Sequence, residues 1–266
     1  MAGRLEGKHA VVVGGGQTPG ATIGNGRATA IRFAQEGAWV AVLDRDLASA
    51  ADTVAMIEAE GNRALARELD VTDEAATQRV LGEVLEVMGH VDILHNNVGI
   101  GRGDATPGRI EEAVWDRIFS TNAKSVLFTC KALLPAMRER GQGVIINISS
   151  VAAVASAANI TAYKASKAAV NAYTQALAIN NAKYGVRANV IMPGLMNTPM
   201  AIEGYVAAGQ NRDEVVARRD AAVPLRATMG SGWDVANAAL FLASDEAGFI
   251  TGVMLPVDGG QSAKIG

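Results

Sequence analysis

A chain of 266 residues, 49% apolar and 19% charged, has ample material for a sizeable core. Its net charge of −3 excludes the basic footprint of a nucleic-acid binder, and no Lys/Arg cluster marks an anionic membrane surface. One cysteine, Cys130, excludes an internal disulfide framework and fits a reducing compartment. The start, MAGRLEGKHAVVV, has no signal-peptide core with a cleavage site, and no apolar run approaches the roughly 18 residues of a membrane span. The expectation is a soluble, cytoplasmic protein.

In chain order, short apolar runs predict strands at His9–Val13, Trp39–Leu43, Ala64–Leu69, Val91–Leu94, Val144–Ile148, Arg187–Ile191 and Gly252–Val257. Between them, helical patterns run over about Gly26–Glu36, Leu47–Glu60, Asp73–Met88, Ile110–Arg140, Ala162–Tyr184 and Trp233–Ala243. Several runs are almost entirely Val, Ile and Leu, as expected where helices cover both faces of a sheet. The alternation predicts right-handed βαβ units in an α/β, Rossmann-type, doubly wound parallel sheet of about seven strands. With no repeat and no linker-like composition shift, residues 1–266 read as one domain. Residues 197–224 break the alternation and hold their own helical pattern, with charges at 212–220, which predicts a lid over a site.

The stretch "VVVGGGQTPGATIGNGRATA", residues 11–30, runs from the first strand into the first helix. A helix N-terminus offers free N–H groups and partial positive charge to a pyrophosphate, and glycines let the backbone approach it. Gly20, Gly24 and Gly26 alone spell G-x3-G-x-G. The preferred register starts at Gly15, directly at the strand end, and leaves eight residues before Gly24 where about three are usual. In that register Gly15, Gly24, Asn25 and Gly26 form the cradle, and five residues within about Gln17–Ile23 are an insertion expected to cover the cofactor. A flexible surface loop is the alternative.

The second strand ends in Asp44, about 20 residues on, where a carboxylate can accept both adenosine ribose hydroxyls and repel a 2′-phosphate. That favours NAD over NADP. Arg45 follows and would greet the phosphate instead; Asp44 is also a plausible helix N-cap.

In "NISSVAAVASAANITAYKASKAAV", residues 147–170, Tyr163 and Lys167 are four apart and share one helix face. An ammonium beside a phenol favours the phenolate, which would make Tyr163 an acid/base near neutral pH. Ser150 lies thirteen residues upstream, at the carboxyl edge of the sheet, where its hydroxyl can hold a substrate oxygen. Lys164 reads as a solvated lysine. His9, His90 and His95 show no zinc-ligand spacing, so no metal is expected. His95 reads as a packing or cofactor-rim residue.

Taken together, the glycine turn, Asp44, "LDVTD", "HNNVG", "STN", Ser150, Y-K-A-S-K, "MPGLMNTPM" and "VDGG" resemble the short-chain dehydrogenase/reductase family over essentially the whole chain. The resemblance implies a tetrad of Asn122, Ser150, Tyr163 and Lys167. It places Asp70 and Val71 at the adenine, and Asn97, in the segment that ends at Gly99, at the adenosine ribose. Met196 and Thr198 would lie at the nicotinamide carboxamide, and Lys167 also at the nicotinamide ribose. Asn122 would anchor a water in a proton relay. The implied activity is NAD-dependent interconversion of a secondary alcohol and a ketone, in a homotetramer joined through the C-terminal helix and the "VDGGQSAKIG" tail. Two alternatives stand beside it: an NADP-dependent ketone or 3-oxoacyl reductase, and a catalytically silent dinucleotide-binding protein. The expanded first turn also resembles the related enoyl reductases, but these carry a lysine seven residues past the tyrosine, where this chain has Val170. Residues 151–159, Gly101, Arg102, Leu195, Met200 and Tyr205 are expected to face a neutral substrate.

Overall fold

The computed structural model describes residues 3–264, so the ends of the predicted domain and the last two residues of the tail lie outside it. The strands are β1 (His9–Val13), β2 (Trp39–Asp44), β3 (Ala64–Glu68), β4 (Ile93–Asn96), β5 (Gly143–Ile148), β6 (Val186–Pro193) and β7 (Met254–Val257). All pair in parallel, in the order β3-β2-β1-β4-β5-β6-β7. The order reverses between β1 and β4, the place where open α/β sheets leave a crevice at their carboxyl ends.

The helices are α1 (Asn25–Gln35), α2 (Leu47–Ala59), α3 (Glu74–Met88), α4 (Glu112–Phe119), α5 (Ser125–Arg140), α6 (Thr161–Asn181), α7 (Pro199–Ala207), α8 (Arg212–Asp220) and α9 (Gly232–Ala243). Side chains of a strand alternate between faces. Val12, Val42, Ile146 and Ile191 accordingly join one apolar cluster with α1, α2 and α9. Val11, Val13, Leu43, Leu94 and Ile145 join the other with α3, α5 and α6.

Two elements differ from the sequence expectation. The long helix predicted over 110–140 is interrupted by a π-helical turn at Ser120–Lys124, between α4 and α5. Helix α6 stops at Asn181 and tightens into a 3-10 turn at Ala182–Tyr184. The segment 197–224, expected to be a lid, holds two short helices, α7 and α8, joined by their own small core of Ile202, Val215, Val223 and Met229 and by an Arg212–Glu203 ion pair at 2.6 Å. Among the described residues, no helix is long and apolar enough to cross a membrane.

Candidate active site

The glycine turn leaves β1 through Gly14, whose φ of 78° belongs to the left-handed region that favours glycine. This corrects the register read from sequence: the chain turns at Gly14, one residue before Gly15. Gly15 is needed for a different reason, since a Cβ there would lie 2.8 Å from Val42 Cγ1. A Cβ on Gly26 would strike the Gly14 carbonyl, which is held by Asn97 Nδ2 at 3.1 Å. Gly24 occupies the N-cap of α1 without any side-chain cap, and no acidic residue sits in the first turn.

The insertion is anchored throughout. Gln17 Oε1 accepts from Gly24 N–H at 2.9 Å, and its Nε2 donates to the Thr22 carbonyl at 3.3 Å, so one side chain brackets the loop. Ser49 Oγ accepts from Gln17 N–H at 2.8 Å and donates to its carbonyl at 3.0 Å. Ile23 packs on the core. A Cβ on Gly20 would lie 2.6 Å from Glu203 Oε1 and 2.9 Å from Pro199 Cβ, so the loop rests against helix α7. Asp44 stands at the end of β2, where Oδ2 accepts from Gly16 N–H at 3.0 Å and Oδ1 from Asp46 N–H at 3.1 Å. Asp46, not Asp44, caps α2.

Asp70 is exposed, and its carboxyl is held below the usual range by hydrogen bonds from Thr72. Val71 is buried beside it. Met196 packs its side chain into the core and pairs with Gly230. Thr198, also buried, opens α7.

Ser150, Tyr163, Lys167 and Asn122 converge beyond the carboxyl ends of β4 and β5. Tyr163 is half-buried in contact with the Ser150 hydroxyl. Burial raises its phenol pKa, and the Ser150 contact opposes that rise. The Lys167 ammonium is buried, donates to the Ile148 carbonyl at 2.8 Å and the Val98 carbonyl at 3.5 Å, and lies 5.9 Å from the Tyr163 ring centroid. Burial pushes its pKa down to about 8. The lowering of the tyrosine expected from its lysine is not borne out: burial raises the phenol, and the group that opposes this is Ser150. Asn122 is buried in the π-helical turn. Its Oδ1 accepts from Ile100 N–H at 2.7 Å, and its Nδ2 donates to the Ile100 carbonyl at 2.9 Å and to Ser166 Oγ at 3.0 Å. A Cβ on Gly99 would lie 2.9 Å from Lys167 Nζ, so the HNNVG segment closes directly over the lysine.

A family profile described as enoyl-(acyl carrier protein) reductase matches residues 20–262, nearly the whole chain that carries these residues. This chain belongs to the short-chain dehydrogenase/reductase family. Among curated members it is 38% identical to the 2,5-dichloro-2,5-cyclohexadiene-1,4-diol dehydrogenase of Sphingobium indicum, over 100% of both chains. It is 34% identical to the 2-(R)-hydroxypropyl-CoM dehydrogenase of Xanthobacter autotrophicus, over 92% of this chain and 96% of the other. A solved short-chain dehydrogenase/reductase from Burkholderia xenovorans superposes with a TM-score of 0.95 at 41% identity, covering 100% of both chains. Membership makes this an oxidoreductase fold built for a nicotinamide dinucleotide. The residues fit that group: the amides at the start of α1 lack a side-chain cap, and the buried Asn25 Oδ1 beside them has no partner.

Other residues escaped the sequence reading. Lys164 is not a free surface lysine: its ammonium donates to the carbonyls of Ala155 at 2.7 Å and Ala152 at 3.1 Å, which pins the loop after Ser150. Beneath the site, Asn96 Nδ2 donates to Asn147 Oδ1 at 2.9 Å, and Asn147 Nδ2 to Thr174 Oγ at 2.8 Å, which ties β4, β5 and α6. The pairing of two asparagines on neighbouring strands becomes legible only once the register Asn96↔Asn147 is known. His95 is fully buried, its ring edge-on to Phe33 at 6.0 Å, and burial pushes its pKa down to about 3. It is a packing residue, not a rim residue.

Proposed function

We propose that this chain is an NAD(H)-dependent dehydrogenase that interconverts a neutral secondary alcohol and its ketone. The observation that carries the reading is the convergence of Ser150, Tyr163 and Lys167 at the crevice that the glycine turn opens.

When bound, the dinucleotide supplies the hydride acceptor or donor. In the oxidation direction, the Ser150 hydroxyl orients the substrate oxygen and Tyr163 Oη takes its proton; in reduction Tyr163 returns it. An ammonium has three donors, and two of those on Lys167 go to main-chain carbonyls, which leaves one for the nicotinamide ribose. The side chain of Asn122 is engaged by Ile100 and Ser166, so a relay water there would be held by the main chain. The π-helical turn breaks the regular carbonyl ladder at that point.

Asp44 supports NAD, since its carboxylate stands over the glycine loop and repels a 2′-phosphate. Arg27, which lies near it, is committed to Ser49 and Thr53. The relative from Sphingobium indicum is named for a ring diol, and the loop after Ser150 is built of small apolar residues, so cyclic secondary alcohols and diols are the substrate class. The enoyl activity named by the family profile is disfavoured, because Val170 is buried where a lysine seven residues past the tyrosine would be required. A homotetramer remains the assembly implied by the family, and the fully exposed Phe249 just beyond α9 suits a contact there.

The test is a panel of cyclic secondary alcohols and diols assayed with NAD and with NADP, for the wild type and Tyr163→Phe. Oxidation with NAD that collapses in the variant while NADH binding survives supports the reading. Retained activity in Tyr163→Phe refutes the assigned acid/base, and a higher kcat/KM with NADP refutes the role of Asp44.

A further inference from the structure

Helix α6 carries both Tyr163 and Lys167, yet its own N-cap, Ile160, offers no acceptor to the first turn. The leading amides of any helix need partners from outside it. Here they come from a distant loop. Asp104 Oδ2 accepts from the Tyr163 N–H at 2.8 Å, and Oδ1 accepts from the N–H groups of Ala162 at 3.1 Å and Ala105 at 2.8 Å. Thr161 Oγ closes the same junction by donating to the Ala105 carbonyl at 2.6 Å.

The loop that presents Asp104 is itself held firmly. Asn122 takes both main-chain groups of Ile100, and Arg117 donates to the Arg102 carbonyl at 2.6 Å. It also lies against the tyrosine ring, since a Cβ on Gly101 would sit 3.3 Å from Tyr163 Cδ2. One segment therefore grips Tyr163 twice, by its backbone N–H and by the face of its ring.

We infer that Asp104 is a positioning residue, whose carboxylate caps helix α6 from the loop of residues 99–105 and fixes where the Tyr163 phenol stands relative to Ser150. The inference rests on the dehydrogenase reading above. Its physical basis is that a carboxylate makes short, strong bonds to amides and complements the positive end of a helix. The amide it holds belongs to the very residue whose side chain moves the proton. A shift of about 1 Å in such a group can cost on the order of a hundredfold in rate. Asparagine at position 104 would keep one acceptor and turn an NH2 group towards the other amides, so it should fall between aspartate and alanine.

The experiment compares full-length wild type, Asp104→Asn and Asp104→Ala, with cyclohexane-1,2-diol and NAD as substrates. Alongside the kinetics run NADH fluorescence titration and hydrogen exchange at the Ala162 and Tyr163 amides. The expected result is a kcat lower by about tenfold in Asp104→Asn and up to about a hundredfold in Asp104→Ala. KM for the diol and Kd for NADH should stay within about twofold, because only the reacting geometry is disturbed. Exchange at the two amides should quicken in both variants. Should Asp104→Ala fail to fold, Asp104→Asn carries the comparison. An unchanged kcat in a variant whose amides have lost protection overturns the inference; so does a parallel loss of NADH affinity, which marks a merely structural role. If the wild type leaves the diol untouched, the reading of the reaction fails, whereas amide protection that is unchanged in the variants overturns the tether itself.

Discussion

Asn122 brackets Ile100, accepting from its N–H at 2.7 Å and donating to its carbonyl at 2.9 Å. The asparagine of the π-helical turn thus fixes the backbone of the loop that lies against the Tyr163 ring. Asn122→Ala would take from both main-chain groups of the half-buried Ile100 their partner, at about 0.5–1.5 kcal/mol for each lost hydrogen bond. The expected outcome is a urea midpoint lowered by an amount corresponding to about 1–3 kcal/mol, with kcat reduced as the loop loosens over Tyr163. Equilibrium unfolding checks the first part, and wild-type stability in the variant would contradict it.

Lys167 gives a pH signature. Its folded pKa is pushed down to about 8 from an ordinary 10.5. Below the folded value both states hold the proton and the burial cost is fully present. Between about pH 8 and 10 the native state sheds the proton first, so the unfolded state binds more and stability rises with pH, by on the order of 2–3 kcal/mol. Tyr163, raised by burial, works in the opposite sense only above about pH 10. Urea unfolding of the cofactor-free protein at pH 7.5 and 9.5 should show this rise, and Lys167→Met should abolish it. An equal rise in the variant would locate the effect elsewhere.

Gln17 holds the inserted turn closed through Gly24 and Thr22. Gln17→Ala should raise the Kd for NAD by about fivefold or more, the equivalent of roughly 1 kcal/mol, as the loop must order on binding. The rate with saturating NAD should stay within about twofold. Binding by calorimetry and steady-state rates separate the two; an unchanged Kd would mean that the insertion does not cover the cofactor.

The sheet was legible because parallel strands buried on both faces must be short apolar runs, and the runs from Trp39 and from Val144 announce themselves. Tyr163 and Lys167 were legible because helical spacing is local. Asp104 was not: its value depends on a loop path that only Arg117 and Asn122 define, and nothing near it in sequence is a helix start. Lys164 carries the same lesson in reverse, since a motif lysine with no assigned role turns out to bind main-chain carbonyls. The turn at Gly14 was displaced by one residue because three consecutive glycines erase the side-chain pattern that would mark the strand end. The π-helical turn at Ser120–Lys124 has no compositional mark of its own, as its five residues all continue a helix acceptably.

Gly20 meets Pro199 and Glu203 so closely that the glycine-rich turn and α7 share a surface. A change in one is therefore felt by the other. Grafting a shorter turn from another enzyme would leave a notch beside α7, and any side chain at position 20 would push that helix outward. Glu203 also holds Arg212, so the displacement would pass into α8. Whoever wishes to exchange the glycine-rich turn of this protein, or to reshape α7 and α8, has to redesign both pieces together.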